Sequence, residues 1–259
     1  MIPKFRSPQR PKKNTLVIGR QPVIDAMNQG VALDRIYIDG RAIGNEIQEI
    51  KRLASQSGVP INYVPVAKLN GFNITDHDGC VAQIAKVVYQ DLQQMIDFVV
   101  ERGETPLFLI LDGITDIRNI GGIARTAYCC GVHAIIIPDK GVGALNEDAI
   151  STSAGALEVI PVCRVNSLMK AVDDLHMNGI KVIATEMSAE KTIDGYEFQE
   201  PVAIIMGSEE KGIYPALMKV CDERLSIPMA GDFESLNVSV ATGMILYEVM
   251  RQRGVGKAR

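Results

Sequence analysis

Nothing in the 259 residues approaches the roughly 20-residue apolar run that a membrane-spanning helix needs. The start of the chain is basic and proline-rich, unlike a signal peptide, so a cytoplasmic protein with no membrane contact is expected. Five cysteines, Cys80, Cys129, Cys130, Cys163 and Cys221, are odd in number and form no CxxC pair. That argues against a disulfide framework and a zinc site, and each reads as a small buried residue. The three histidines, His77, His133 and His176, lie far apart and form no HExxH, so no metal is expected. A GxGxxG is missing too. Gly141-Val142-Gly143 lacks the third glycine and reads as a loop, which disfavours a nucleotide-dependent oxidoreductase.

Acidic residues are absent from both ends. Residues 1–13 carry five basic groups and residues 251–259 four, whereas residues 14–250 carry 18 basic against 31 acidic side chains. Basic ends suit phosphate contacts, and they suit solubilising tails equally well. Residues 1–13, with Pro3, Pro8 and Pro11, read as a disordered arm.

At 47% apolar and 22% charged residues, the chain can bury a substantial core. A small α/β domain is expected over 14–90, with a helix over 22–28, a strand over 35–39, a helix over 46–57, and strands over 61–64 and 81–89. His77-Asp78-Gly79 reads as an ordinary turn, with a functional loop as the alternative. Residues 91–105 read as a linker helix capped by Asp91. From 106 onward strands and helices alternate: strands over 107–111, 134–137, 159–165, 181–185, 202–206 and 224–227, and helices over 120–130, 146–152, 167–177, 214–220 and 236–252. This predicts a parallel sheet covered on both faces, with ligands beyond the carboxyl ends of its strands.

Three polar stretches fall at those ends. In Leu111 to Ala127, Gly121-Gly122 is expected at a strand-to-helix turn, close to an anion. Arg125 stands in an otherwise apolar helix, either as a surface arginine or as a phosphate clamp. The second stretch, Met206 to Gly212, is a cofactor-edge loop or a charged turn. The third runs from Ile227 to Glu248, where Ser235 is the expected N-cap of the last helix and Asn237, a poor helix former, points to another task.

Asn119, Gly121, Arg125, Thr126 and Ala127 (NxGxxxRTA), the run MGSEEKG, and IPM followed by ESLNVSVA resemble, in order and spacing, the three motifs of the TrmH/SpoU branch of SPOUT RNA ribose 2′-O-methyltransferases. The resemblance covers about 105–252, and 14–90 resembles the ribosomal-protein-L30-like substrate-binding domain of that family. SAGALE at 153–158 together with CDERLSIPMAG looks most like the RlmB group, which methylates a guanosine ribose in 23S rRNA. His77-Asp78-Gly79 departs from the His-Gln-Gly frequent in relatives.

The resemblance implies a SPOUT catalytic domain over 106–259 with a deep trefoil knot, RNA as substrate and a homodimer. It implies S-adenosylmethionine as cofactor, near Thr185, Met206, Gly207, Ile227 and Leu236, and a direct attack of the ribose 2′-OH on its methyl group. Arg125, Asn119, Glu209, Ser235 and Asn237 are the implied catalytic residues, with Arg125 either as base, a role the family sometimes gives it, or as clamp on phosphate and developing alkoxide, which the chemistry favours since arginine keeps its proton. A tRNA ribose methyltransferase and an inactive RNA-binding homologue are the alternatives. The apolar surplus of the last helix, which includes Val240, Met244 and Val249, fits burial against both its own sheet and a partner subunit.

Overall fold

Short apolar strands separated by amphipathic helices build two units, one ending at Val88 and the other beginning at Tyr89. The structure is a computed structural model that describes residues 16–72, 76–143, 145–231 and 235–254. The expected N-terminal arm lies outside the described residues.

In the first unit, β1 (Leu16–Ile18), α1 (Arg20–Asn28), β2 (Leu33–Asp39), α2 (Asn45–Gln56), β3 (Ile61–Val64), α3 (Val66–Asn70) and β4 (Cys80–Ile84) follow in order. The sheet order is β1-β4-β2-β3, with β4 antiparallel to both neighbours and β2 parallel to β3. Alternation sends Ile36 and Ile38 of β2 into the core, where they meet Ile47, Ile50, Leu53 and Ala54 of α2. Those four are the residues whose helical spacing marks that face in the sequence. Gly58, at φ +61°, takes the left-handed turn that ends α2.

The turn before β4 is held by its own polar groups. His77 is mostly buried. Its Nδ1 accepts the Gly79 N–H at 3.0 Å, and its Nε2 pairs with Asn70 Oδ1 at 2.8 Å. Asp78, at φ +44°, is braced by Arg20, whose Nε donates to the Asp78 carbonyl at 2.8 Å and lies 3.3 Å from its carboxylate. Within the unit, the residues behave as a built turn.

The second unit runs β5 (Tyr89–Gln90), α4 (Leu92–Glu101), β6 (Leu107–Asp112), α5 (Ile117–Cys129), β7 (Ala134–Pro138), α6 (Glu147–Thr152), β8 (Val162–Val165), α7 (Leu168–Met177), β9 (Lys181–Thr185), β10 (Val202–Gly207), α8 (Pro215–Lys219), β11 (Glu223–Leu225) and α9 (Val238–Gln252). Seven parallel strands form one sheet in the order β11-β9-β10-β6-β7-β8-β5. The five leading residues of both β6 and β10 are buried, as central strands covered on both faces require. Truncating one of them, such as Leu109, to alanine would cost about 2–5 kcal/mol. α4, α7 and α8 pack on the face bearing Phe108, Ile110, Ala203 and Ile205. α9 contacts β10 and lies along α5, which in turn packs on α6.

Several boundaries differ from the sequence reading. The apolar run 81–89 is two strands, β4 in the first sheet and β5 in the second, because alternation does not say which sheet a strand joins. The helix expected as a linker, α4, buries Leu92, Met95, Ile96 and Val99 in the core of the second unit. The strand expected from 159 starts at Val162, after a 3₁₀ turn over Ala156–Glu158. All five cysteines are free thiols. Cys80 and Cys163 are buried, which pushes both up to about 12, but Cys129 is exposed.

Candidate active site

β6, β7 and β8 build outward on one side of the sheet, while β9, β10 and β11 fill the other. The strand order therefore reverses between β6 and β10, where ligands of open α/β sheets sit beyond the carboxyl ends. The last residues of the two strands, Asp112 and Gly207, are register partners.

The loop after β10 is tightly closed. Ser208 and Gly212 exchange backbone hydrogen bonds at 3.2 and 2.8 Å, with Gly212 at φ +65°. A Cβ on Gly207 would fall onto the backbone of Gly212 and Ile213, so only glycine permits this closure. Asp112 Oδ2 then accepts the Tyr214 N–H at 2.6 Å, tying the loop's far end to β6. Sequence reading passed over Asp112. Its signal was a carboxylate closing an otherwise apolar strand.

α5 begins at Ile117, earlier than its apolar pattern suggests. Its N-cap is Asp116, which accepts the Arg118 N–H at 2.8 Å and pairs with the Arg118 guanidinium at 3.1 Å. Those hydrogen bonds hold the Asp116 carboxyl below the usual carboxylate range. Asn119 thereby lies in the first turn of α5. Gly121 and Gly122 sit inside the helix, not at the turn before it. A Cβ on Gly121 would come 2.7 Å from Thr152 Cβ and 2.9 Å from the Ser153 amide, so this glycine lets α6 approach. Gly122 faces Ser239 of α9 in the same manner, at 3.4 Å.

Three of the five expected catalytic residues meet. Glu209 Oε1 accepts from Asn237 Nδ2 at 2.6 Å, from the Val238 amide at 3.1 Å and from Asn119 Nδ2 at 3.4 Å. The other proton of Asn237 Nδ2 goes to Asn119 Oδ1 at 3.0 Å. Asn237, not Ser235, is the N-cap of α9. Its Oδ1 accepts from the Ser239 amide at 3.0 Å, the Ser239 hydroxyl at 2.5 Å and the Val240 amide at 3.4 Å. One side chain thus caps the helix and binds both other motifs, which explains a poor helix former at that place. The Glu209 carboxylate also meets the positive end of the α9 dipole, an arrangement worth about 0.3–1 kcal/mol.

Arg125 and Ser235 are exposed and have no hydrogen-bond or ion-pair partner among the described residues. Arg125 lies six residues after Asn119 on α5, about 9 Å along the axis. Its guanidinium is left open to an outside anion by every described neighbour.

The residues expected around a cofactor gather on the neighbouring strands. Register places Thr185 at the end of β9 beside Leu225 of β11, while Met206 and Gly207 end β10. Ile227 follows two residues after β11, and Leu236 precedes Asn237. Thr185 Oγ1 donates to the Ile205 carbonyl at 2.9 Å and lies 3.7 Å from Met206 Sδ. Backbone groups of Ile227 to Gly231 and of Ser235 to Leu236 make no backbone hydrogen bonds to other described residues. Apolar side chains beside backbone groups that no described residue's backbone satisfies fit a flat heterocycle recognised through its polar edge. Among the described residues, no three His, Cys, Asp or Glu side chains group as a metal site.

Residues 106–247 match the SpoU rRNA Methylase family, and residues 16–90 match the family described as RNA 2′-O ribose methyltransferase substrate binding. A Bacillus subtilis (strain 168) relative, YacO, placed by its name in the TrmH family of tRNA/rRNA methyltransferases, is 36% identical over 93% of this chain and 97% of its own length. The crystal structure of the SpoU methyltransferase AviRb from Streptomyces viridochromogenes, in complex with the cofactor AdoMet, is 26% identical with a TM-score of 0.59, covering 93% of this chain and 91% of that one. An A. aeolicus TrmH/SpoU tRNA-modifying enzyme is 27% identical with a TM-score of 0.52, over 63% of this chain and 84% of that one. With both units matched in order, the chain belongs to the SpoU rRNA methylase family of RNA methyltransferases.

Proposed function

We propose that the protein transfers a methyl group from S-adenosylmethionine to a ribose 2′-OH of RNA, with a guanosine of 23S rRNA as the target. The observation that carries this is the junction of Asn119, Glu209 and Asn237 at the sheet's switch point, with Arg125 further along α5 and without a partner among the described residues. When bound, S-adenosylmethionine supplies a methyl group already activated by its sulfonium. Met206, Gly207, Ile227 and Leu236 hold it through apolar contact and backbone groups, with Thr185 bracing the floor. Arg125 grips the target nucleotide's phosphate and steadies the charge that grows on the ribose oxygen. Asn119, Glu209 and Asn237 lock three loops into one geometry, so that donor and acceptor are aligned before reaction. Ser235, exposed just ahead of the α9 cap, contacts the target ribose.

The first unit supplies RNA affinity, in keeping with its substrate-binding match, and a cytoplasmic location fits such a substrate. A homodimer belongs to the same proposal. α9 buries Val238, Ile245 and Val249, yet exposes Val240 (52%), Met244 (41%) and Tyr247 (58%) as a second stripe for a partner subunit. So does the deep trefoil knot. β11 lies at the sheet edge, whereas α9, the next element, packs on α5 and contacts β10.

The test is incorporation of labelled methyl groups into 23S rRNA and tRNA transcripts, followed by mapping of the product. Methylation at a guanosine 2′-oxygen of 23S rRNA is expected. Product on tRNA alone would transfer the reading to the tRNA alternative, which the mixed tRNA/rRNA naming of relatives keeps in view. S-adenosylmethionine binding without product on either RNA would favour an inactive RNA-binding homologue. Light scattering at micromolar concentration checks the dimer. An active 28.2 kDa monomer would reject it.

A further inference from the structure

Tyr214 is an aromatic residue where local structure asks for something else. It occupies the N-cap of α8 and makes no side-chain capping bond there, at a position where Ser, Thr, Asp or Asn would satisfy a free amide. The residue is 64% exposed, and its ring has no ring or hydrogen-bond partner among the described residues. A large apolar surface is thus held in solvent at the expense of a better cap.

The backbone beneath that ring is fixed on three sides. The Tyr214 amide is tied to Asp112 Oδ2 at 2.6 Å. The preceding residue, Ile213, is buried in the core with α8's Leu217. The following residue is Pro215, which confines Tyr214 to the extended backbone it adopts, φ −54° and ψ 130°. A ring displayed by so rigid a support loses little freedom on binding.

It stands at the end of the sheet where the candidate site lies. Asp112 ends β6 and pairs in register with Gly207, from which the tight loop carries Glu209 to the Asn119–Asn237 junction. Tyr214 therefore stands at the same carboxyl end as the catalytic cluster, on the far side of one closed loop. Lys211, in that loop, is exposed and has no acidic partner among the described residues. An aromatic face with an ammonium three residues away is what a splayed RNA nucleotide meets when its base stacks and its phosphate is neutralised.

We propose that Tyr214 is a recognition residue whose ring stacks a base of the substrate RNA next to the methylated nucleotide, with Lys211 on the adjoining phosphate. This rests on RNA as substrate, and it is independent of which RNA is modified.

Tyr214→Ser restores a good cap and so separates folding from recognition. It is compared with Tyr214→Phe and Tyr214→Trp in the full-length protein, using binding and methylation of both a 23S rRNA transcript and bulk tRNA. The Ser variant is expected to keep the wild-type melting temperature, oligomeric mass and S-adenosylmethionine affinity. Its RNA dissociation constant and KM should rise about tenfold, in line with the loss of one stacked base, with a smaller change in kcat. Phe and Trp should restore both. An RNA affinity of the Ser variant within twofold of wild type overturns the proposal, as does a Phe variant as weak as Ser. Weakened S-adenosylmethionine binding or a changed mass in the Ser variant overturns it too, assigning the ring to the cofactor or a subunit contact. Product on tRNA instead of rRNA would change the target proposed above, and the Tyr214 comparison would then be read on tRNA.

Discussion

Two glycine-containing loops of this molecule spend their polar groups in opposite ways. In the first unit, His77, Asp78, Asn70 and Arg20 bond to one another and to nearby backbone, and the product is a turn that enters β4. In the second, the loop after β10 closes through the Ser208–Gly212 backbone pair and the Ser208 hydroxyl, which accepts the Lys211 N–H at 3.2 Å, and its Glu209 reaches across to Asn119 and Asn237, residues 90 and 28 positions away. The first loop uses its side chains to make itself; the second is held without Glu209, whose carboxylate joins three segments instead. A polar residue that its own turn does not need is the stronger candidate for chemistry.

The largest effect that would sharpen this contrast is at the open end of the cluster. Arg125→Ala should lower methyl transfer by roughly a hundredfold or more, because it removes a charge contact made as the reaction proceeds. S-adenosylmethionine affinity by calorimetry should stay within about threefold of wild type. Full turnover with labelled cofactor in this variant would break the assignment.

Next comes the junction itself. Glu209→Ala leaves the Val238 amide and one proton of Asn237 Nδ2 without their acceptor and should reduce kcat by roughly tenfold to a hundredfold, with about 1–2 kcal/mol of stability lost from the α9 cap. His77→Ala in the first unit should cost about 1–3 kcal/mol of stability through the stranded Asn70 and Gly79 groups, yet leave kcat at saturating RNA unchanged. Equal losses of kcat in the two variants would erase the distinction between the loops.

A third substitution probes packing beneath the site. Gly121→Ala places a methyl 2.9 Å from the Ser153 backbone and should destabilise the protein by about 1–3 kcal/mol in thermal unfolding. Gly122→Ala meets only the Ser239 side chain at 3.4 Å and should be milder. The reverse order would show that α6, not α9, is the adaptable neighbour.

The smallest effect separates two ion pairs of the same kind. Glu49–Arg52 in the first unit and Glu248–Arg251 in the second are both i,i+3 pairs at 2.6 Å. The Glu49 side chain is 39% exposed, whereas the Glu248 side chain is only 12% exposed and also accepts from Gln252 Nε2 at 2.7 Å. Arg251 and Gln252 together hold the Glu248 carboxyl down at about 2, below its ordinary 4.5. A depressed carboxylate contributes stability above its ordinary pKa and loses it as pH falls, here between about 4.5 and 2. Glu248→Gln should therefore lower the melting temperature at pH 6 and converge with wild type near pH 2. Glu49→Gln should leave it almost unaltered, because exposed pairs are screened by solvent. A matching pH-dependent loss for both would mean burial does not separate them.

Much of the fold was legible because helical and strand periods are local. β3 and β9 have the ends their apolar runs suggest, and α2 buries the four residues its spacing marks. The site was legible as motifs: Asn119, Glu209 and Asn237 stand in three stretches that a family resemblance singles out. That they share hydrogen bonds, and that Asn237 displaces Ser235 as the cap, depends on loops brought together across the sheet. The sequence by itself determined which segments are strands and helices and where polar residues interrupt them, since backbone propensity and hydrophobic period act over a few residues. Only the tertiary structure decided that Gly121 and Gly122 serve helix contacts, that α4 belongs to the core, and that Tyr214 stands exposed on a fixed backbone at the same end of the sheet as the cluster. Those outcomes depend on which surfaces meet, and contact between distant surfaces leaves no local period to read.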